Sequence, residues 1–257
     1  MRPWVEKVAL PALQLVVTMH THKVSRWAVW AIVISLPLLI PAARAGELYQ
    51  DAGSWLQLYG EGSLKFIHPD LEKGRIWLEG QARFNDNWQQ WYQGIVRAAL
   101  GYSLSDRATI WVGYTWVPTQ PAGPASYISE QEVFPAFRYI APTTWGTFTF
   151  RTMMDVDFLR GNQPRFRPRQ LIRFLRPIGF EPRLSLVAWD EVLVRANSTP
   201  SGGAAGFDQN RAFLGLGWSF SPNIRTELGY MNQYIDDAKH FNNIMQHLVM
   251  GSLFVSF

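Results

Sequence analysis

Arg165, Arg167, Arg169 and Arg173 recur at even spacing, and no Asp or Glu stands between Phe158 and Phe180. On an extended chain side chains alternate between faces, so these four guanidiniums share one face. Such a row can bind an anion, because arginine offers paired donors in a rigid fork. The anion would be a solute, or the phosphates of lipopolysaccharide at an outer rim. The competing use is internal pairing with Glu130, Glu132, Asp155 and Asp157 on neighbouring segments. A second polar set, Glu191, Arg195, Gln209, Arg211 and Gln233, falls on one face if the later segments pair as simple hairpins. Five groups of complementary type can close a hydrogen-bonded network, as a structural lock or as a ligand site. The same register turns Asp190 to the opposite face unless a bulge shifts it.

Nucleophilic or metal chemistry finds less support. Beyond residue 45 the histidines are His68, His240 and His247, and alternation brings no serine level with any of them. No Gly-x-Ser-x-Gly, His-Glu-x-x-His, P-loop or dinucleotide fingerprint occurs there. Asp236, Asp237 and His240 could hold a metal, but on an outer loop they read first as solvated charge. No catalytic residue, metal or cofactor is therefore assigned. The alternative is a hydrolase acting on envelope lipid through His240 or His247.

The elements that carry these residues are strands. Period-2 alternation runs over 54–66, 74–84, 91–104, 107–117, 127–140, 145–158, 167–176, 183–196, 208–220, 224–234 and 243–257. Most are 10 to 14 residues long, which suits a tilted strand crossing a bilayer rather than the roughly five or six of a soluble strand. The connections alternate between short and long, as in barrels with short periplasmic turns and longer outer loops. The chain ends on an aromatic residue, Phe257, of an alternating strand. That ending suits outer-membrane barrels and recognition by the barrel-assembly machinery. With Phe257 periplasmic, the short turns fall inside and the long ones outside. The expectation is an all-β, antiparallel, up-and-down transmembrane β-barrel spanning 46–257 as one domain. Eleven segments are legible, but an even number is needed when both ends lie on one side. Twelve is therefore the first choice and ten the second, with the discrepancy placed at Gly60 and Gly62.

Ahead of the strands, Lys23 and Arg26 precede an apolar stretch from Trp27 to Ile40, and Ala43-Arg44-Ala45 offers small residues for cleavage. The stretch falls short of the roughly 20 residues of a spanning helix. Residues 1–45 are thus read as a cleaved signal peptide, with Met19 as an alternative start to Met1. Of the chain's 24 basic and 20 acidic residues, maturation leaves 19 of each. The basic balance belongs to the leader and gives no argument for nucleic acid. There is no cysteine, so disulfide staples and thiolate metal sites are excluded. The implied location is the outer membrane of a Gram-negative bacterium, in contact with membrane lipid and lipopolysaccharide.

The strand faces differ sharply. Phe148, Phe150, Met154, Val156 and Phe158 alternate with Thr147, Thr149, Arg151, Asp155 and Asp157. Trp and Tyr gather near strand ends, Trp55, Trp77, Trp91, Tyr102, Trp116 and Tyr139 among them, as in interfacial girdles. A barrel of ten to twelve strands is narrow, so mixed charges inside read first as a packed polar core and second as a pore. The resulting role is structural, or the binding or limited passage of a small solute or lipid. A soluble periplasmic barrel that binds a ligand is the third reading.

Three stretches carry a resemblance: Trp189-Asp-Glu191, Phe207-Asp-Gln-Asn-Arg-Ala-Phe-Leu-Gly-Leu-Gly-Trp218 and Glu227-Leu-Gly-Tyr-Met-Asn-Gln-Tyr234. Together with His247 they resemble the bacterial domain of unknown function 2490 family. The resemblance is specific in the C-terminal third and looser before it. It implies a secreted outer-membrane β-barrel and carries no activity across.

Overall fold

The computed structural model describes residues 48–257 apart from 121–126, 159–162, 201 and 238–241. The expected signal peptide and His240 lie outside the described residues.

Every expected segment forms a strand. In chain order these are β1 (Leu48–Ser63), β2 (Gly74–Asn85), β3 (Gln90–Ser103), β4 (Ala108–Thr119), β5 (Ile128–Pro142), β6 (Thr147–Phe158), β7 (Arg165–Ile178), β8 (Glu181–Arg195), β9 (Gly206–Ser221), β10 (Ile224–Asp237) and β11 (Asn242–Ser256). Each pairs antiparallel with its sequence neighbour, and β1 joins β11 to close a barrel.

The closure corrects the expected count of twelve or ten: the described strands number eleven. The ladder between β1 and β11 is parallel, from Leu48 opposite Asn243 to Glu61 opposite Ser256. An even count is required only if the closing pair is antiparallel, and a parallel seam closes an odd barrel without leaving an edge. It also puts Leu48 at the end of the barrel that carries the long connections, opposite Phe257.

Gly60 and Gly62 do not split β1; they make room at the seam. A Cβ on Gly62 would lie 2.4 Å from both the ring and the carbonyl oxygen of Phe257. The Phe257 N–H donates to Glu61 O and its carbonyl accepts from Ser63 N–H, both at 3.1 Å. The last aromatic residue thus ties the final strand to the first.

Alternation sorts the side chains as the sequence suggests. Outward positions such as Leu56, Val96, Val112, Leu214 and Leu228 are exposed, while Glu79, Arg97, Glu132, Asp155, Glu191 and Glu227 are buried inside. Two aromatic residues depart from the girdle reading. Trp55 and Trp77 are 3% and 2% exposed, and both point inward. Trp55 packs with Val187, Phe213, Met231, Leu248 and Met250. Trp77 packs with Trp111, Phe134 and Met153 on the other wall. Small positions let these rings in: Phe134 lies over Gly113, where a Cβ would meet its ring at 2.3 Å.

Candidate functional site

The interior is built in layers of acids facing arginines, each strand supplying alternate residues. Nearest the short turns, Glu61 accepts from Arg138, from Arg75 Nη2 at 2.9 Å and from Tyr59 OH at 2.7 Å. In the same layer Glu227 pairs with Arg173 and, at 3.0 Å, with Arg225. Higher up, Glu79 accepts from Arg97 Nη1 at 2.8 Å and Gln57 Nε2 at 2.9 Å. Arg97 also donates to Thr115 Oγ1 at 3.0 Å. Desolvated pairs of this kind hold only while satisfied, since removing one partner strands the other charge.

Toward the long connections the layer centres on Glu191. Its carboxylate accepts from Arg169 Nη2 at 2.7 Å, Arg151 Nη2 at 3.1 Å and Arg211 Nη1 at 3.2 Å. Arg211 of β9 sits directly opposite Glu191 of β8 on one side and Gln233 of β10 on the other. It donates to Gln209 Oε1 at 2.8 Å, which also accepts from Gln233 Nε2 at 2.8 Å. Four of the five residues singled out in the sequence, Glu191, Gln209, Arg211 and Gln233, therefore form one connected network.

Arg195 does not join them. A bulge between Leu193 and Val194 puts Leu193 opposite Gln209 but Val194 opposite Phe207. The extra residue, Asp208, turns inward, and Arg195 donates to it at 2.8 Å, to Asp236 at 2.8 Å and to Ala204 O at 2.8 Å. Bulges commonly re-aim a side chain in this way. Asp208 went unmarked in the sequence because simple hairpin parity places it on the outer face, and Asp236 was read there as a solvated loop charge. Asp190 stays outward and accepts from Asn210 Nδ2 at 2.9 and 3.1 Å.

The arginine row of β7 faces inward and is ion-paired along its length. Arg165 bridges Asp157 and Glu130, and Arg167 reaches Glu132 at 2.8 Å and Asp155 at 3.6 Å. Arg169 holds Asp155 at 3.1 Å beside Glu191, and Arg173 holds Glu227. Glu130, Glu132, Asp155 and Asp157, the acids weighed against an external anion in the sequence, pair with Arg165, Arg167 and Arg169, whereas Glu191 and the Arg173 partner Glu227 were not among them. Carboxylate oxygens of Glu130, Glu132 and Asp157 lie close enough to share a cation, but Arg165 and Arg167 already bridge them.

Between the layers runs a cavity of about 1060 Å³, lined from Pro182 and Pro222 at the short turns up to Tyr92 and Glu130. Trp55 and Arg83 form one wall: the Arg83 guanidinium lies 3.6 Å from the centre of the Trp55 ring, and that of Arg211 lies 5.1 Å from it. Strand parity could have found both. Trp55 alternates with Gln57, Tyr59 and Glu61, and Arg83 shares the charged face of β2.

His247 lies outward on β11, its Nδ1 2.6 Å from Tyr230 OH and its Nε2 3.3 Å from Gln50 Oε1. His68 caps a short 3-10 turn, its Nδ1 accepting from Asp70 N at 3.3 Å. Neither is hydrogen-bonded to a serine among the described residues.

Residues 52–245 match a family described as protein of unknown function (DUF2490). The chain is also 28% identical over 205 residues to an uncharacterised protein of Methylorubrum extorquens, covering 79% of this chain and 87% of that protein. With a family match over most of the chain, this closed β-barrel belongs to the DUF2490 family.

Proposed function

We propose that the protein is an outer-membrane β-barrel whose charged lumen binds, or slowly passes, a small polar solute. The observation that carries this reading is the opposite character of the two faces of the same strands. Leu56, Val96, Val112, Leu214 and Leu228 are 53 to 64% exposed on the outside. Apolar patches spread around a whole surface are rare in water but required in lipid. Exposed Tyr102, Tyr139 and Trp145 lie toward the short turns, and Trp91, Trp116 and Tyr127 toward the long connections. Two such belts suit the two interfaces of a bilayer. The apolar run and Ala43-Arg44-Ala45 support export with cleavage before Gly46. Phe257, tied into the seam, supports recognition by the barrel-assembly machinery in a Gram-negative envelope.

Binding is favoured over free conduction. The cavity is about the size of the largest ligand pockets, roughly 1,000 Å³, and paired acids and arginines such as Glu79–Arg97, Glu132–Arg167 and Glu227–Arg225 line it along its length. Heat-modifiable gel migration and recovery in the outer-membrane fraction test the location, and a freely soluble product would overturn it. Planar-bilayer recording separates the two uses of the lumen. Silence supports binding, and steady conductance steps altered by Arg211→Ala support passage.

A further inference from the structure

We infer that the wall formed by Arg83, Trp55 and Arg211 is a binding site for a small organic carboxylate. The inference rests on the solute-binding reading above and names the class of solute.

Arg83 is 5% exposed, and its guanidinium donates only to neutral amides: Gln81 Oε1 at 2.7 and 3.0 Å and Gln93 Oε1 at 2.5 Å. The other buried arginines, Arg97, Arg169, Arg195 and Arg211, each have a carboxylate in ion-pair contact. Among the described residues Arg83 has none. Its neighbour across the Trp55 ring, Arg211, does not bring a spare negative charge, because Glu191 is shared with Arg151 and Arg169. A desolvated guanidinium without a counter-charge is costly, and its stacking on Trp55 offsets only part of that cost. One negative charge is missing from this wall.

Polar atoms stand ready around it. Gln233 Oε1, Arg211 Nε and the Trp55 indole N–H are buried and have no hydrogen-bond partner. The three residues are 2%, 7% and 3% exposed, and all line the cavity. Of these, the two donors belong to Trp55 and Arg211, which flank the uncompensated guanidinium, and they describe a site for an anion that also carries π character. The remaining wall sets the body of the ligand: Trp189, Phe213 and Met250 line the same cavity and pack around Trp55. An inorganic anion would leave these surfaces dry and unmatched. A carboxylate on an aromatic or apolar body satisfies both, and the arginine fork suits its two oxygens.

The test is isothermal titration of the full barrel, purified in detergent, with benzoate as the probe. Benzyl alcohol serves as its uncharged counterpart and inorganic phosphate as the anion without a body. Benzoate is expected to bind at least about tenfold more tightly than either. Arg83→Gln should weaken benzoate about tenfold or more while the folded, heat-modifiable band persists. Equal binding of benzoate and benzyl alcohol, equal binding of phosphate, or an unchanged affinity in Arg83→Gln would each overturn the assignment. If Arg83→Gln fails to fold, the wild-type comparison of the three probes decides alone. Failure here is separable from failure of the broader reading. Neutral solutes binding with no preference for anions would remove the carboxylate site and leave a solute-binding lumen, whereas a soluble product in fractionation would remove the membrane.

Discussion

Leu214 offers the sharpest test of what surrounds the barrel. It points outward from the middle of β9 (Gly206–Ser221) and is 59% exposed. At about 3.3 Å per residue and a tilt of roughly 40°, it lies about 20 Å along the axis from one end of the strand and about 18 Å from the other. The lipid-facing band of such barrels is about 25 Å tall, so Leu214 falls near its midplane. Leu214→Arg would then cost about 2–4 kcal/mol, the penalty for arginine at that depth. If the same face met water, an exposed substitution would stay within about 0.5 kcal/mol. Urea unfolding in phospholipid vesicles, followed by loss of the heat-modifiable band, measures the difference. Phe180→Arg is the matched control: Phe180 is 86% exposed between β7 and β8, and no loss is expected there. A Leu214→Arg barrel as stable as wild type would refute the membrane placement and leave the barrel fold untouched.

Other expectations follow from the interior and the seam. Glu191→Gln leaves Arg151 and Arg211 without their carboxylate, and breaking such a buried set costs about 3–5 kcal/mol. The low end is expected, because Arg169 keeps Asp155 at 3.1 Å, and a loss below about 1 kcal/mol in the same urea assay would contradict a desolvated network. Arg183→Gln, at the exposed Glu181 pair, should change nothing measurable. The chain has no cysteine, so single cysteines report sidedness. Tyr49→Cys should react with a membrane-impermeant maleimide on intact cells, and Phe180→Cys only after permeabilisation. The reverse pattern would invert the orientation, and labelling of both on intact cells would remove the barrier. Gly62→Val pushes a side chain into Phe257 and should abolish the folded band, whereas a barrel that folds like wild type would argue against the parallel seam.

The sequence alone determined where the strands run and which way their side chains point. Period-2 alternation is local, so the two faces of β6 could be read directly. The expected segments became strands within a few residues of their bounds except the first, where β1 starts at Leu48 rather than 54 and gives way to a 3-10 turn at Leu64–Phe66. The alternation of short and long connections was legible for the same reason. Parity also held the answer for Trp55 and Trp77, whose place among inward residues outweighs the tendency of Trp to sit at interfaces.

What the tertiary structure decided was everything set between strands. Closure by a parallel β1–β11 seam joins residues from opposite ends of the chain, and no local pattern distinguishes it from an antiparallel one. The β9 bulge opposite Leu193 and Val194 turned Asp208 inward, where with Asp236 it holds Arg195 apart from the Glu191 network. Pairing within the lumen followed from register as well, because each inward arginine has several acids on other strands that it could meet. Only the assembled barrel left Glu191 serving three guanidiniums and Arg83 serving none.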